Sequence, residues 1–154
     1  MGAAPRGHAS LAQQRRRAEL TAVGPSFVDT NVFVYAVGRS HPLREPAREM
    51  LRDRLESGRP MATSAEVLQE LLHVYLPVAR EETLDAALRL ATDLAVIWPV
   101  EASDVPAARD LARSETALGA RDLLHLAVCR RHGAGELLTF DRALAAAFDS
   151  RVVR

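Results

Sequence analysis

Four carboxylates stand out by position: Asp29, Glu70, Asp122 and Asp141. Asp29 directly follows the apolar pair Phe27-Val28, and Asp141 follows Leu137-Leu138-Thr139-Phe140. Asp122 opens the apolar run Leu123 to Val128, and Glu70 sits among Leu68, Leu71 and Leu72. A carboxylate in so crowded an apolar stretch either faces solvent or needs a partner. Four carboxylates gathered in one crevice repel one another and stay ionised together only around a cation. Hard oxygen ligands select Mg²⁺, with Mn²⁺ as a substitute. An ion held this way activates water and neutralises a phosphodiester. Asn31 and Thr139 lie beside the acids and are placed to orient them, or an attacking water, by hydrogen bonds; local turn bonding is the plainer account of both.

Each acid also has a plain structural reading. Asp29, Asp122 and Asp141 all precede helical segments, where aspartate is a favoured cap or first-turn residue. Glu66 is the rival to Glu70, but Thr63-Ser64-Ala65-Glu66 reads as a capping box. Glu66 is therefore assigned to the helix start and Glu70 to the site.

The elements that must position these residues alternate between short strand-like and helical runs. Ser26-Phe27-Val28, Met61-Ala62-Thr63, Ala95-Val96-Ile97 and Glu136 to Phe140 read as strands, with Val152-Val153 as a last edge strand. Helical spacing links Leu43, Ala47, Met50, Leu51 and Leu55, with Pro42 in the first turn and Gly58-Arg59-Pro60 as the break. It also links Val67 to Tyr75, stopping near Pro77, and Leu84 to Ala95. Ser103 is placed to cap a helix through Ala108 and Leu111. Leu123 to Val128 is apolar nearly all round, which predicts a central buried helix. Ala143 to Phe148 reads as a short helix. This alternation predicts an α/β domain, a parallel sheet with helices on both faces. Sites in such sheets form at the carboxyl ends of the strands, where Asp29 and Asp141 would fall.

Bulk composition narrows the classes. The 154 residues suit one domain with a core of Leu, Val and Ala, since apolar residues make up 48% and aromatics 5%. The formal net charge is zero, which argues against a protein that coats nucleic acid through bulk positive charge. Every basic residue other than histidine is arginine. The lone Cys129 has no disulfide partner, no run approaches the ~18 apolar residues of a membrane span, and Arg15-Arg16-Arg17 precedes no signal-like apolar region. These features predict a cytoplasmic protein. Residues 1–25 read as a tail, rich in Ala, Gly, Gln and Arg, with a weak helix from Leu11 to Ala22; residues 26–154 read as the folded domain.

At the acidic motifs the sequence resembles the PIN-domain ribonucleases, in particular the VapC-type toxins of type II toxin–antitoxin systems. Phe27-Val28-Asp29-Thr30-Asn31-Val32 is similar to that family's first strand and acidic turn, and Ser64 to Leu71 resembles the helix bearing its glutamate, at Glu70. Ala120-Arg121-Asp122-Leu123-Leu124-His125 and Leu138-Thr139-Phe140-Asp141-Arg142 resemble its third and fourth motifs. The likeness runs from Phe27 to Val153. It implies a three-layer αβα fold, a sheet of about five strands in order 3-2-1-4-5, and metal-dependent cleavage of single-stranded RNA that inhibits translation. It also implies a homodimer and a cognate VapB-like antitoxin, and it makes Asp29, Glu70, Asp122 and Asp141 both the catalytic acids and the metal ligands.

Other readings fit less well. Aspartyl phosphotransferases need a lysine near the phosphate, and this chain has none. Glu70/His73 and Asp122/His125 each pair an acid with a histidine one helical turn on, as carboxylate-bridged di-iron bundles do, but the strand signals oppose a four-helix bundle. His73 and His125 therefore read as packed or surface histidines, and Cys129 and Met50 as core. A catalytically silent PIN-like binding module would leave its acids costly, and a DNA or flap endonuclease would need extra substrate-gripping elements. Arg39, Arg44, Arg121 and Arg142 lie near the acidic motifs and are the candidates to hold RNA phosphates. The low aromatic count argues against extensive base stacking.

Overall fold

The computed structural model describes residues 10–12, 15 and 23–150. Most of the helix expected over Leu11 to Ala22, and all of the strand expected at Val152-Val153, fall outside the described residues. The order of elements is β1 (Ser26–Val28), α1 (Thr30–Val37), α2 (Arg44–Ser57), β2 (Met61–Ser64), α3 (Ala65–Tyr75), a 3₁₀ turn (Leu76–Val78), α4 (Glu81–Leu94), β3 (Val96–Trp98), α5 (Asp104–Leu111), α6 (Ala120–His132), β4 (Glu136–Leu138) and α7 (Arg142–Asp149).

The described strands form one parallel sheet in the order β3-β2-β1-β4, the expected order without its fifth member. Strand β1 is central: Ser26 pairs with both Met61 and Glu136, and Phe27 and Val28 are fully buried. A strand buried on both faces must be apolar throughout, and Ser26 is admitted because its hydroxyl donates to Glu136 (2.6 Å). Glu136 is also held by Arg54, with Arg59 3.6 Å away. Burial opposes the charge of Glu136, but the bonds from Arg54 and Ser26 outweigh it and hold its pKa below the usual range. This network fixes the amino end of the β1/β4 pair. Among the helices, α1, α3 and α4 pack on one another and α5 packs on α6.

Several local expectations need correction. The helical segment expected after Asp29, given no bounds from sequence, runs from Thr30 to Val37, and Asp29 caps it by accepting from the Thr30 N–H (2.7 Å). Ser64, not Thr63, caps α3, through the Val67 N–H (3.3 Å). Thr63 instead donates to the Val28 carbonyl across the sheet (2.8 Å), so the Thr63–Glu66 capping box does not form. Ser103 makes no capping bond. The buried Asp104 takes that place, accepting from the Glu101 N–H (2.8 Å) and from the guanidinium of Arg131 (2.8 and 2.9 Å), which ties the start of α5 to the end of α6. Strand β4 stops at Leu138, earlier than the expected Phe140.

The chain enters β1 through a tight approach. Gly24 has φ +84°, and a Cβ there would lie 2.2 Å from the Gly133 carbonyl oxygen, just past the end of α6. Gly24→Ala is expected to cost about 1–3 kcal/mol through the left-handed backbone and the steric overlap. Thermal unfolding should show a midpoint lower by several degrees, and an unchanged midpoint would contradict this packing.

Candidate active site

The carboxyl ends of β1 and β4 open onto a polar cluster. Asp29 leaves β1 with its backbone N–H on the Leu138 carbonyl (3.0 Å), so its side chain is anchored at the rim and is only 6% exposed. One carboxylate oxygen caps α1; the other accepts from Asn31 Nδ2 (2.8 Å) and Thr139 Oγ1 (2.6 Å). Asn31 and Thr139 are themselves bonded (3.0 Å), and Asn31 Oδ1 accepts from the Phe140 N–H (3.2 Å). The two residues proposed from sequence to orient an acid both orient Asp29.

Glu70 reaches the same place from α3, whose other inward residues Val67 and Leu71 are fully buried. Its carboxylate accepts from the Thr30 hydroxyl, and Arg121 approaches its outer oxygen (3.8 Å) from the first turn of α6. His125, one turn further along α6, is 1% exposed. Its Nε2 lies 3.4 Å from Glu70 and 3.9 Å from Asp29. Asp29, Glu70 and His125 thus offer ligand atoms all within 4.8 Å of one another. Sequence reasoning did not place His125 or Thr30 in the site. The signal for His125 was a histidine inside a helix apolar nearly all round, a position that demands a polar partner.

Asp122 and Asp141 border this trio without joining it. Asp122 accepts from the Gly119 N–H (3.3 Å) and Asp141 from the Leu144 N–H (2.9 Å), so the cap reading describes both. Both still belong to the same electrostatic centre. Burial, followed by the charges of Asp141 and Glu70, raises the Asp122 pKa against the Gly119 bond. Burial likewise raises that of Asp29, against the opposing effects of His125 and Thr139. Burial opposes the charge of Glu70 too, but His125 and Thr30 outweigh it and its pKa is lowered. Burial would depress His125, yet Glu70, Asp29 and Asp122 together raise it. The result is a compact centre with more negative charge than its internal partners neutralise.

The remaining sequence candidates separate. Arg121 is half-exposed beside Glu70, and Arg142 is exposed in the first turn of α7 next to Asp141. Arg39 is exposed at the far end of α1, while Arg44 is half-buried with its Nε unbonded. His73 is exposed although Glu70 is buried, so the acid–histidine pairing of a di-iron site is not made there. Cys129 is fully buried and Met50 packs against the core.

This arrangement, with acids delivered by the central strand, a flanking helix and the helix before β4, is that of a PIN domain. The family model so described matches residues 26–148, and the chain belongs to that family, among the VapC-type proteins. It is 60% identical over 124 residues to ribonuclease VapC23 of Mycobacterium tuberculosis, covering 80% of this chain and 98% of that protein. It is 39% identical over 124 residues to ribonuclease VapC13 of the same species, covering 80% and 92%. The crystal structure of M. tuberculosis VapC20, described as a sarcin–ricin loop cleaving toxin, superposes with a TM-score of 0.65 at 21% identity, covering 79% of this chain and 94% of that one. That likeness confirms the fold.

Proposed function

We propose that the chain is an endoribonuclease that hydrolyses RNA phosphodiester bonds with Mg²⁺, or Mn²⁺ in its place, held by Asp29, Glu70, Asp122 and Asp141. The observation that carries this reading is the convergence of Asp29 and Glu70 at one rim, bordered by Asp122 and Asp141. The donor set fits a hard divalent cation, being oxygen-rich, with Asp29 and Glu70 buried and Asp122 and Asp141 partly buried beside them. His125 fits less well as a ligand. Its Nδ1 is buried without a hydrogen-bond partner, whereas a ligating histidine almost always donates its second N–H. Its Nε2 instead presents a proton to the two acids. His125 is then a positioning residue.

Bound there, a divalent ion would supply Lewis acidity to the scissile phosphate and to water. The chain's own groups do the rest. Asn31 and Thr139 fix the outer oxygen of Asp29, Thr30 and His125 fix Glu70, and the half-exposed Arg121 and exposed Arg142 are available to phosphate oxygens at the rim. A binding module without catalysis would gain nothing from desolvating these acids. The names of the relatives support an RNA substrate; membership of the VapC-type proteins favours a VapB-like antitoxin as partner, and a second copy of the chain and a cytoplasmic location complete the proposal as expectations from the family resemblance.

The test is cleavage of single-stranded RNA by the purified chain. Products are expected with Mg²⁺ or Mn²⁺ and none with EDTA. Cleavage indifferent to EDTA would remove the metal from the reading, and absence of both metal binding and cleavage would remove the enzyme.

A further inference from the structure

Beside the acidic centre, three rings stand in a row. Phe140, whose N–H is bonded to Asn31, meets Tyr35 edge-on with ring centroids 5.5 Å apart. The outer neighbour of Tyr35 is His41, stacked on it at 4.6 Å and 21°. His41 is exposed but not loosely held: its Nδ1 accepts from the Leu43 N–H (3.1 Å), and its carbonyl accepts from the Arg44 N–H (3.0 Å). The first of these bonds assigns the ring proton to Nε2 and fixes the plane of the imidazole. Next to the row runs a groove of about 370 Å³, walled by Val34, Tyr35 and Tyr75 and flanked by Arg39, Ser40 and Arg80. None of the residues lining the groove is a carboxylate, and Arg39 and Arg80 are its permanently charged side chains.

We propose that His41 is a stacking platform for a base of the RNA strand adjacent to the cleaved bond, with Arg39 and Arg80 taking the phosphates that flank that base. The inference rests on the ribonuclease reading above. A flat ring held in place loses little freedom when a base lies on it, and every base has a π-face, so such a platform binds single strands with little regard to sequence. Two arginines at a groove with no carboxylate in its wall complement a phosphate backbone. Through Tyr35, Phe140 and Asn31 the platform is continuous with Asp29, which sets the stacked base in register with the reaction centre. A chain with few aromatics needs only one such position beside its acids.

The experiment measures binding of 5′-fluorescein-labelled decaadenylate and decauridylate by anisotropy in EDTA, together with metal-dependent cleavage of a mixed-sequence RNA. The proteins are the wild type, His41→Ala, His41→Phe and the pair Arg39→Ala/Arg80→Ala. Both His41 variants lose the bond to Leu43, so their difference isolates the ring. His41→Ala is expected to bind decaadenylate about ten-fold more weakly, with KM for cleavage raised in proportion and kcat little changed, and His41→Phe is expected to restore binding to within about two-fold. The double arginine variant should weaken both oligonucleotides alike and flatten the salt dependence by about 0.7 in log–log slope for each phosphate that the protein no longer neutralises. Equal losses in His41→Ala and His41→Phe, or none in either, would overturn the platform while wild-type cleavage leaves the ribonuclease reading standing. Unchanged RNA affinity with loss of binding to the cognate antitoxin would overturn it in favour of a protein-docking groove. Wild-type protein that neither binds nor cleaves RNA would remove both.

Discussion

Asp29→Asn is expected to lower metal-dependent RNA cleavage by more than about 100-fold in kcat/KM. Loss of a group that merely orients a metal ligand costs about 10- to 100-fold, and Asp29 is proposed as a ligand. Its carboxylate is also the hub of the rim, receiving Thr30, Asn31 and Thr139 at once. An amide has one acceptor oxygen where these three donors need two, so one donor must turn away even though the shape is kept. The readouts are initial rates on one RNA with Mg²⁺, and thermal melts with and without the ion. Stabilisation by Mg²⁺, which follows from binding to the folded state alone, should largely vanish in the variant. Full activity in a folded Asp29→Asn protein would place the reaction elsewhere.

His125→Ala carries the second large effect, this time on stability as well as rate. The side chain is 1% exposed, lies 5.8 Å from the Phe27 ring and faces Glu70 and Asp29. Its removal leaves a cavity and two buried acids without the imidazole that faces both of them, at a cost of about 2–5 kcal/mol. The pH dependence separates this from a simple packing loss. The pKa of His125 is raised in the native state, so the folded protein keeps a proton that the unfolded chain releases, and metal-free stability falls as pH rises. The contribution is whole below about 6.5, the ordinary imidazole value, and is lost as pH climbs through the higher native value. Asp29, also raised, adds a slope of the same sign beginning from its lower ordinary range. Denaturant titrations in EDTA from pH 6 to 9 should therefore show a declining wild-type stability and a flatter profile for His125→Ala. Parallel profiles would mean that the imidazole is neutral throughout.

Much of this architecture was legible because its signals are local. Apolar triplets after turn residues gave the four described strands, and the spacing of Leu43 to Leu55 and of Val67 to Tyr75 gave two helices. Placing Asp29 at a strand end needed only the length of Phe27-Val28. What escaped were choices between near-equal local options. Thr63 and Ser64 are equally good caps by type, and the sheet decided between them by giving the Thr63 hydroxyl a carbonyl on β1. The extent of helix α1 could not be read because Val32 to Val37 is rich in β-branched and aromatic residues, which favour strands; the Asp29 cap and burial of Phe33 decided for a helix. His125 was read as an ordinary packed histidine because its partners lie 55 and 96 residues earlier in the chain (125 − 70 and 125 − 29). No single-sequence periodicity reports a contact of that range.

The pairing of Ser26 with Glu136 joins residues 110 apart, since 136 − 26 = 110. Strand β1 and Asp29 are made well before Asp122, His125, Thr139 and Asp141, all of which follow Glu70 in the chain. At about 5–20 residues per second, the 71 residues from Leu71 to Asp141 take about 4–14 s to make. Contacts that close so long a loop form only once both ends exist. The nascent polypeptide therefore holds an incomplete set of acids until Asp141 has been made, so the site is assembled late relative to the strand that anchors it.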